Sequence, residues 1–140
     1  MIEVELEYRD LIEVLGKAIM QRTLLKLYYK SGRRSDWRTI RPYMIWRNST
    51  KNLSLAGVPI EELQKFPTKE RTSGQYLLAQ LMTRLKGGQI QILSEPFDDP
   101  GIPRERVDNT QTKDVICRFI YADENRKEVK KQWLKIKYIA

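Results

Sequence analysis

Residues 24–56 read LLKLYYKSGRRSDWRTIRPYMIWRNSTKNLSLA. Leu25, Leu27 and Tyr29 alternate with Leu24, Lys26 and Tyr28, the two-residue period of a strand over roughly 23–30. A second strand is predicted over 37–47. Between the two, Ser31 to Asp36 sets Gly32 among serines and charges, which suits a hairpin or short loop. Asn48 to Asn52 reads as a second turn and Leu53 to Val58 as a short third strand. Consecutive strands joined by short turns make the centre of the chain β.

On the N-terminal side, Asp10 followed by Glu13 predicts a capping-box start to a helix carrying Leu11, Ile12, Val14, Leu15, Ala18 and Ile19. Gly16 inside it costs about 1 kcal/mol of helix propensity relative to alanine. Ahead of the helix, Ile2, Val4 and Leu6 alternate with glutamates like a strand, while Val4, Tyr8 and Leu11 also share a helical face. On the C-terminal side, residues 59–75 read as an irregular insertion. Tyr76 to Lys86 fits either an amphipathic helix or a strand beginning near Tyr76, stopped by Gly87-Gly88. Gln89 to Leu93 alternates like a strand, Pro96 to Thr112 is a loop or linker, and Val115 to Tyr121 is a strong strand. Residues 126–140 match both a helix and a strand. A strand there lets Lys135 and Lys137 face the glutamates of an extended Ile2 to Leu6 across an antiparallel pair.

These phrases, taken in order, resemble the WYL domain of bacterial regulators, a small barrel of the Sm/SH3-like kind. The family's A-I-x-x-x-x-x-L-x-I-x-Y is matched over Ala18 to Tyr29, its R-x-V-x-P over Arg38 to Pro42, and its name-giving tripeptide falls on Leu53-Ser54-Leu55. Its F-R-L-D-R-I falls on Tyr76 to Leu81, and its L-x-E-P-F on Leu93 to Phe97. The resemblance covers roughly residues 12–100. It implies an α+β, mainly β fold: a Sm/SH3-like barrel over 23–97 after a helical segment at 1–22, with a strand-containing extension over 98–140. It also implies a ligand-sensing or nucleic-acid-binding module that regulates an attached or associated protein. The two arginines and the aspartate of the family's later phrase fall on Leu77, Gln80 and Ala79.

At 140 residues the chain fits one domain. It has no run of some eighteen apolar residues and no secretory signal pattern, so the cytoplasm is the expected compartment and no membrane is expected as a partner. The absence of histidine excludes the usual general base and nearly all zinc sites. No phosphate-cradling glycine loop is present. Asp98-Asp99 and Asp123-Glu124 read as solvated turns rather than a cation site. No catalytic residue, metal or cofactor is expected. Cys117, the single cysteine, reads as a small buried hydrophobe.

The net charge of +8 is unevenly spread. Before Gly16 there are five acids against Arg9 alone, so the remainder carries about +12. Such a surface attracts polyanions by releasing their counterions. Along 37–47, Ile40, Pro42, Met44 and Trp46 form a core stripe, with Pro42 implying an edge or a bulge. Trp37, Arg41, Tyr43 and Arg47 form the opposite row, in which rings stack on bases and guanidinium groups meet phosphates. A bulge at Pro42 changes the phase of the face beyond it. Arg38 stands at the arginine that the family resemblance singles out. The expected ligand surface is therefore Tyr29, Arg38, Arg41, Tyr43 and Arg47, with Trp37 and Lys51 beside them, for single-stranded nucleic acid or a nucleotide-type anion. The alternative is a protein-interaction module, possibly a homodimer.

Overall fold

The computed structural model of the chain describes residues 2–31, 34–60, 74–96, 109–121 and 129–140. The described residues form β1 (Ile2–Glu5), a 3-10 turn (Leu6–Tyr8), α1 (Arg9–Gln21), β2 (Thr23–Ser31), β3 (Arg34–Arg47), β4 (Leu53–Pro59) and β5 (Gly74–Leu77). After these come α2 (Leu78–Lys86), β6 (Ile90–Pro96), a 3-10 turn (Thr112–Asp114), β7 (Val115–Tyr121), β8 (Val129–Trp133) and β9 (Ile136–Ile139). The architecture is α+β and mainly β, as the sequence predicts. Most of the insertion at 59–75, most of the 96–112 loop and the two acid pairs lie outside the described residues.

The principal sheet runs β5-β4-β3-β2-β6, with β7 joined to β3 and β8 to β7. Among the described residues β5 and β6 are not paired, so this sheet is open. β3 organises it, because its first half pairs with β2 from Arg34 to Ile40 and its second half with β7 from Met44 to Trp46. β4 pairs with the other edge from Ile40 to Arg47. The register against β4 slips between Pro42 and Met44, the bulge that Pro42 foreshadows. A proline has no amide to donate to a ladder, and an extra residue there lets β3 bend from one partner to the next.

The inner face of the sheet carries Leu25, Leu27, Tyr29, Ile40, Ile45, Leu55 and Ile90. These pack against Leu11, Ile12, Leu15, Ala18 and Ile19 of α1 and Leu78 and Leu81 of α2 in one continuous core. Two smaller clusters lie elsewhere: Leu24, Tyr43, Val58 and Phe119, and Met44, Trp46, Ala56 and Val115. Beyond the bulge Ile45 joins the main core while Met44 and Trp46 do not. The stripe from Ile40 to Trp46 is therefore split between clusters, since the bulge reverses the alternation.

Three expectations change. The helix has no capping box: it continues from the 3-10 turn with Tyr8 as N-cap and no side-chain cap, and Asp10 sits within its first turn. Tyr76 to Lys86 is neither all helix nor all strand, because β5 ends at Leu77 and α2 starts at Leu78. The β1–β9 pair is parallel rather than antiparallel. It still sets Glu3 opposite Lys137, with Oε1 and Nζ 3.9 Å apart. Both side chains are more than half exposed, so the pair contributes a few tenths of a kcal/mol at most. A tight turn between consecutive strands imposes antiparallel pairing, whereas β1 and β9 are far apart in sequence and free of that constraint.

Cys117 is fully buried and unpaired. Burial pushes its thiol up from 9.0 to about 12, with a backbone hydrogen bond at Ile45 pulling slightly the other way. The unfolded thiol ionises near its ordinary value while the folded one keeps its proton, so this group's contribution to stability falls as pH rises from about 9 towards 12. A thiol reagent at neutral pH should label Cys117 only as fast as the protein unfolds. Rapid labelling of the native chain would contradict this burial.

Candidate nucleic-acid interface

β2 and β3 form a hairpin in which Tyr28 stands opposite Trp37, Lys26 opposite Thr39 and Leu25 opposite Ile40. Since side chains alternate across a strand, Lys26 and Tyr28 share the outer face with Trp37, Thr39 and Arg41. Trp37 is 43% exposed. Its ring meets that of Tyr28 edge to face, with centres 5.8 Å apart at 72°. The Lys26 ammonium lies 5.4 Å from the Trp37 ring centre. Arg41, cross-strand from Val58, is half-buried further along the same side. An exposed indole braced by a second ring and flanked by cations can stack on a base and hold the neighbouring phosphates.

The seven residues expected from the sequence do not form one surface. Trp37 and Arg41 lie on the outer face. Tyr29 does not: it is 6% exposed, in the inner core, packed edge to face on Tyr76 at 4.9 Å, and its hydroxyl accepts a 3.4 Å hydrogen bond from the Leu77 amide. Arg38 belongs to that inner side too, half-buried, its guanidinium 5.9 Å from the Tyr29 ring centre. Tyr43 is 2% exposed and fills the cluster of Leu24, Val58 and Phe119. Burial therefore removes Tyr29 and Tyr43 from any ligand surface.

Arg47 and Lys51 lie apart from the others, for two reasons. One is the reversal of phase at the bulge. The other is a turn built by Asn48, whose Oδ1 accepts from the Thr50 amide at 3.0 Å, the Thr50 hydroxyl at 2.7 Å and the Asn52 amide at 2.9 Å. This turn holds Lys51 in the left-handed region at φ 67°. Arg47 donates to the carbonyl of Lys51 at 2.9 Å and to that of Glu3 at 3.0 Å, clamping β1 to the end of β3. Beside it is a cavity of about 190 Å³ lined by Glu5, Glu7, Tyr8, Arg47, Lys51 and Leu77 among others. Burial, then Glu7 and Glu5, pushes the Tyr8 phenol above its ordinary value, while Arg47 pulls it back. Two carboxylates in the wall make this a poor place for a polyanion.

Arg47→Ala should loosen β1, costing about 1 kcal/mol because the lost hydrogen bonds are solvent-exposed. Faster amide exchange at residues 2–5 would register it, with polyanion affinity unchanged. Exchange as slow as in the parent chain would show that Arg47 is no clamp.

Lys26 and Tyr28 were not expected in the site, although the sequence held a signal for them. The strands run to Ser31 and resume at Arg34 opposite it, so only two residues intervene. Centring the hairpin on Gly32-Arg33 sets Tyr28 against Trp37 by counting alone. Among the described residues no three His, Cys, Asp or Glu side chains converge to hold a metal ion, and no helix is long and apolar enough to cross a membrane. Comparison of the chain with family models, with curated proteins and with solved structures finds no match in any of the three.

Proposed function

We propose that this chain is a non-catalytic, regulatory, WYL-like module that binds single-stranded nucleic acid on the outer face of the β2–β3 hairpin. The observation that carries the reading is Trp37, 43% exposed, in contact with Tyr28 and Lys26 on the face that also carries Arg41. The net charge of +8 supports it, since a basic protein gains affinity for a phosphate backbone wherever its cations displace counterions. The order β5-β4-β3-β2-β6, with a bulged β3 serving two neighbours on one edge, supports a small barrel-like wrap of the Sm/SH3-like kind.

The test is fluorescence anisotropy of labelled single-stranded DNA and RNA at about 50 and 200 mM salt. Binding that weakens over this range by the slope of several phosphate contacts is the expected result. No binding at the lower salt would overturn the proposal.

A second reading, a docking module, draws on Leu6 and Ile139, which are 46% and 40% exposed. Ile139 pairs with Glu5, the residue before Leu6, so the two lie at one end of the β1–β9 pair. A stable dimer without nucleic-acid affinity would favour this reading.

A further inference from the structure

Phe119 is 4% exposed and has two cations on its ring. The Arg22 guanidinium lies 4.8 Å from the ring centre, and the ammonium of Lys131, its cross-strand partner on β8, lies 5.7 Å away. Arg22 closes α1 with φ 54° and ψ 48°, a left-handed conformation in which its amide reaches the carbonyls of Ala18 and Ile19. Glycine adopts that conformation without strain and is the usual residue there. The helix dipole favours a cation at this end, but it does not account for a second cation arriving from β8 on the same ring. The cluster of Leu24, Tyr43, Val58 and Phe119 is on the side of the sheet that carries Arg41, because Val58 is cross-strand from Arg41. Trp37 lies six residues before Tyr43 on β3, roughly 20 Å away at strand spacing.

We propose that Arg22 and Lys131, converging on Phe119, form a second phosphate-binding subsite that extends the Trp37 surface into a track for several nucleotides of a single strand. This rests on the nucleic-acid reading above and adds to it a length and a far end. Phe119 holds the two cations in place, and Arg41 lies along the way between the two ends. A dinucleotide held at Trp37 has a single internucleotide linkage and, even when extended, is too short to cover the roughly 20 Å to Tyr43 and reach Arg22. A strand of about 16 nucleotides covers both ends.

The experiment is a salt titration of the thymidine dinucleotide and of an oligothymidylate of about 16 nucleotides with the parent chain, Arg22→Gly, Lys131→Ala and Trp37→Ala. Arg22→Gly and Lys131→Ala should each lower the salt slope for the longer strand by about 0.7, the value of one single-strand phosphate contact. They should leave the shorter strand unaffected, whereas Trp37→Ala weakens both. If neither cation variant changes the slope for the longer strand while Trp37→Ala still weakens it, the second subsite is wrong and the first stands. If no oligonucleotide binds the parent chain, the nucleic-acid reading itself fails. Should Arg22→Gly melt early, Lys131→Ala at its exposed position decides the matter alone.

Discussion

Gly16→Val should melt roughly 8 °C below the parent chain, a loss of about 2 kcal/mol. A Cβ at position 16 would overlap Cη2 and Cζ3 of the Trp133 ring, which β8 lays across α1. The overlapping atoms are the far end of a side chain that is 42% exposed, so the ring can swing away. The cost is then the packing it forfeits. Gly16→Ala sets two effects against each other, because alanine gains about 1 kcal/mol of helix propensity while displacing the same ring. The ring should win in the parent chain and lose once it is gone. In a Trp133→Ala background Gly16→Ala is expected to raise stability by up to about 1 kcal/mol, the reverse of its effect alone. Thermal melts of the four proteins complete this double-mutant cycle. Independent, additive effects would show that Trp133 does not rest on Gly16.

Trp37→Ala should weaken single-strand binding roughly 5- to 150-fold, the equivalent of the 1–3 kcal/mol that a base stacked on an aromatic ring contributes. The salt slope should hardly change, since no charge is removed. Arg41→Ala should do the opposite, lowering the slope by about 0.7 with a smaller loss of affinity. Anisotropy titrations at several salt concentrations separate the two patterns. Neither variant should unfold the protein, because Trp37 is exposed and Arg41 is only half-buried. Equal affinity of Trp37→Ala and the parent chain would remove the stacking platform from the account.

Much of the architecture is legible in local pattern. Alternation marks β2 and β6, the polar run Asn48 to Asn52 marks the turn that Asn48 builds, and Gly88, with φ 70°, follows the end of α2. Information that travels through tertiary contact is not legible in this way. Tyr29 and Tyr43 look like surface aromatics beside arginines, yet both are buried. The packing of Tyr76 and Phe119 that buries them comes from strands some 50 to 75 residues away. The bulge was foreseeable from Pro42, but its effect was not: by reversing the alternation it takes Arg47 off the face of Trp37 and Arg41 and sends it to β1. Gly16 looked like a flaw in a helix and is the seat of an indole, a role set by a strand more than a hundred residues later. The candidate site was half legible, as Trp37 and Arg41 were found from β3 alone while Lys26 and Tyr28 required the register of the hairpin.

The most direct test of the nucleic-acid surface is a titration of isotope-labelled protein with a single-stranded oligonucleotide, followed by amide and indole resonances. The account predicts that the Trp37 indole N–H and the amides of Lys26, Tyr28, Thr39 and Arg41 shift together and saturably, while those of Arg47 and Lys51 stay still. Shifts centred on the Arg47 cavity, or none on the outer face of the β2–β3 hairpin, would contradict it.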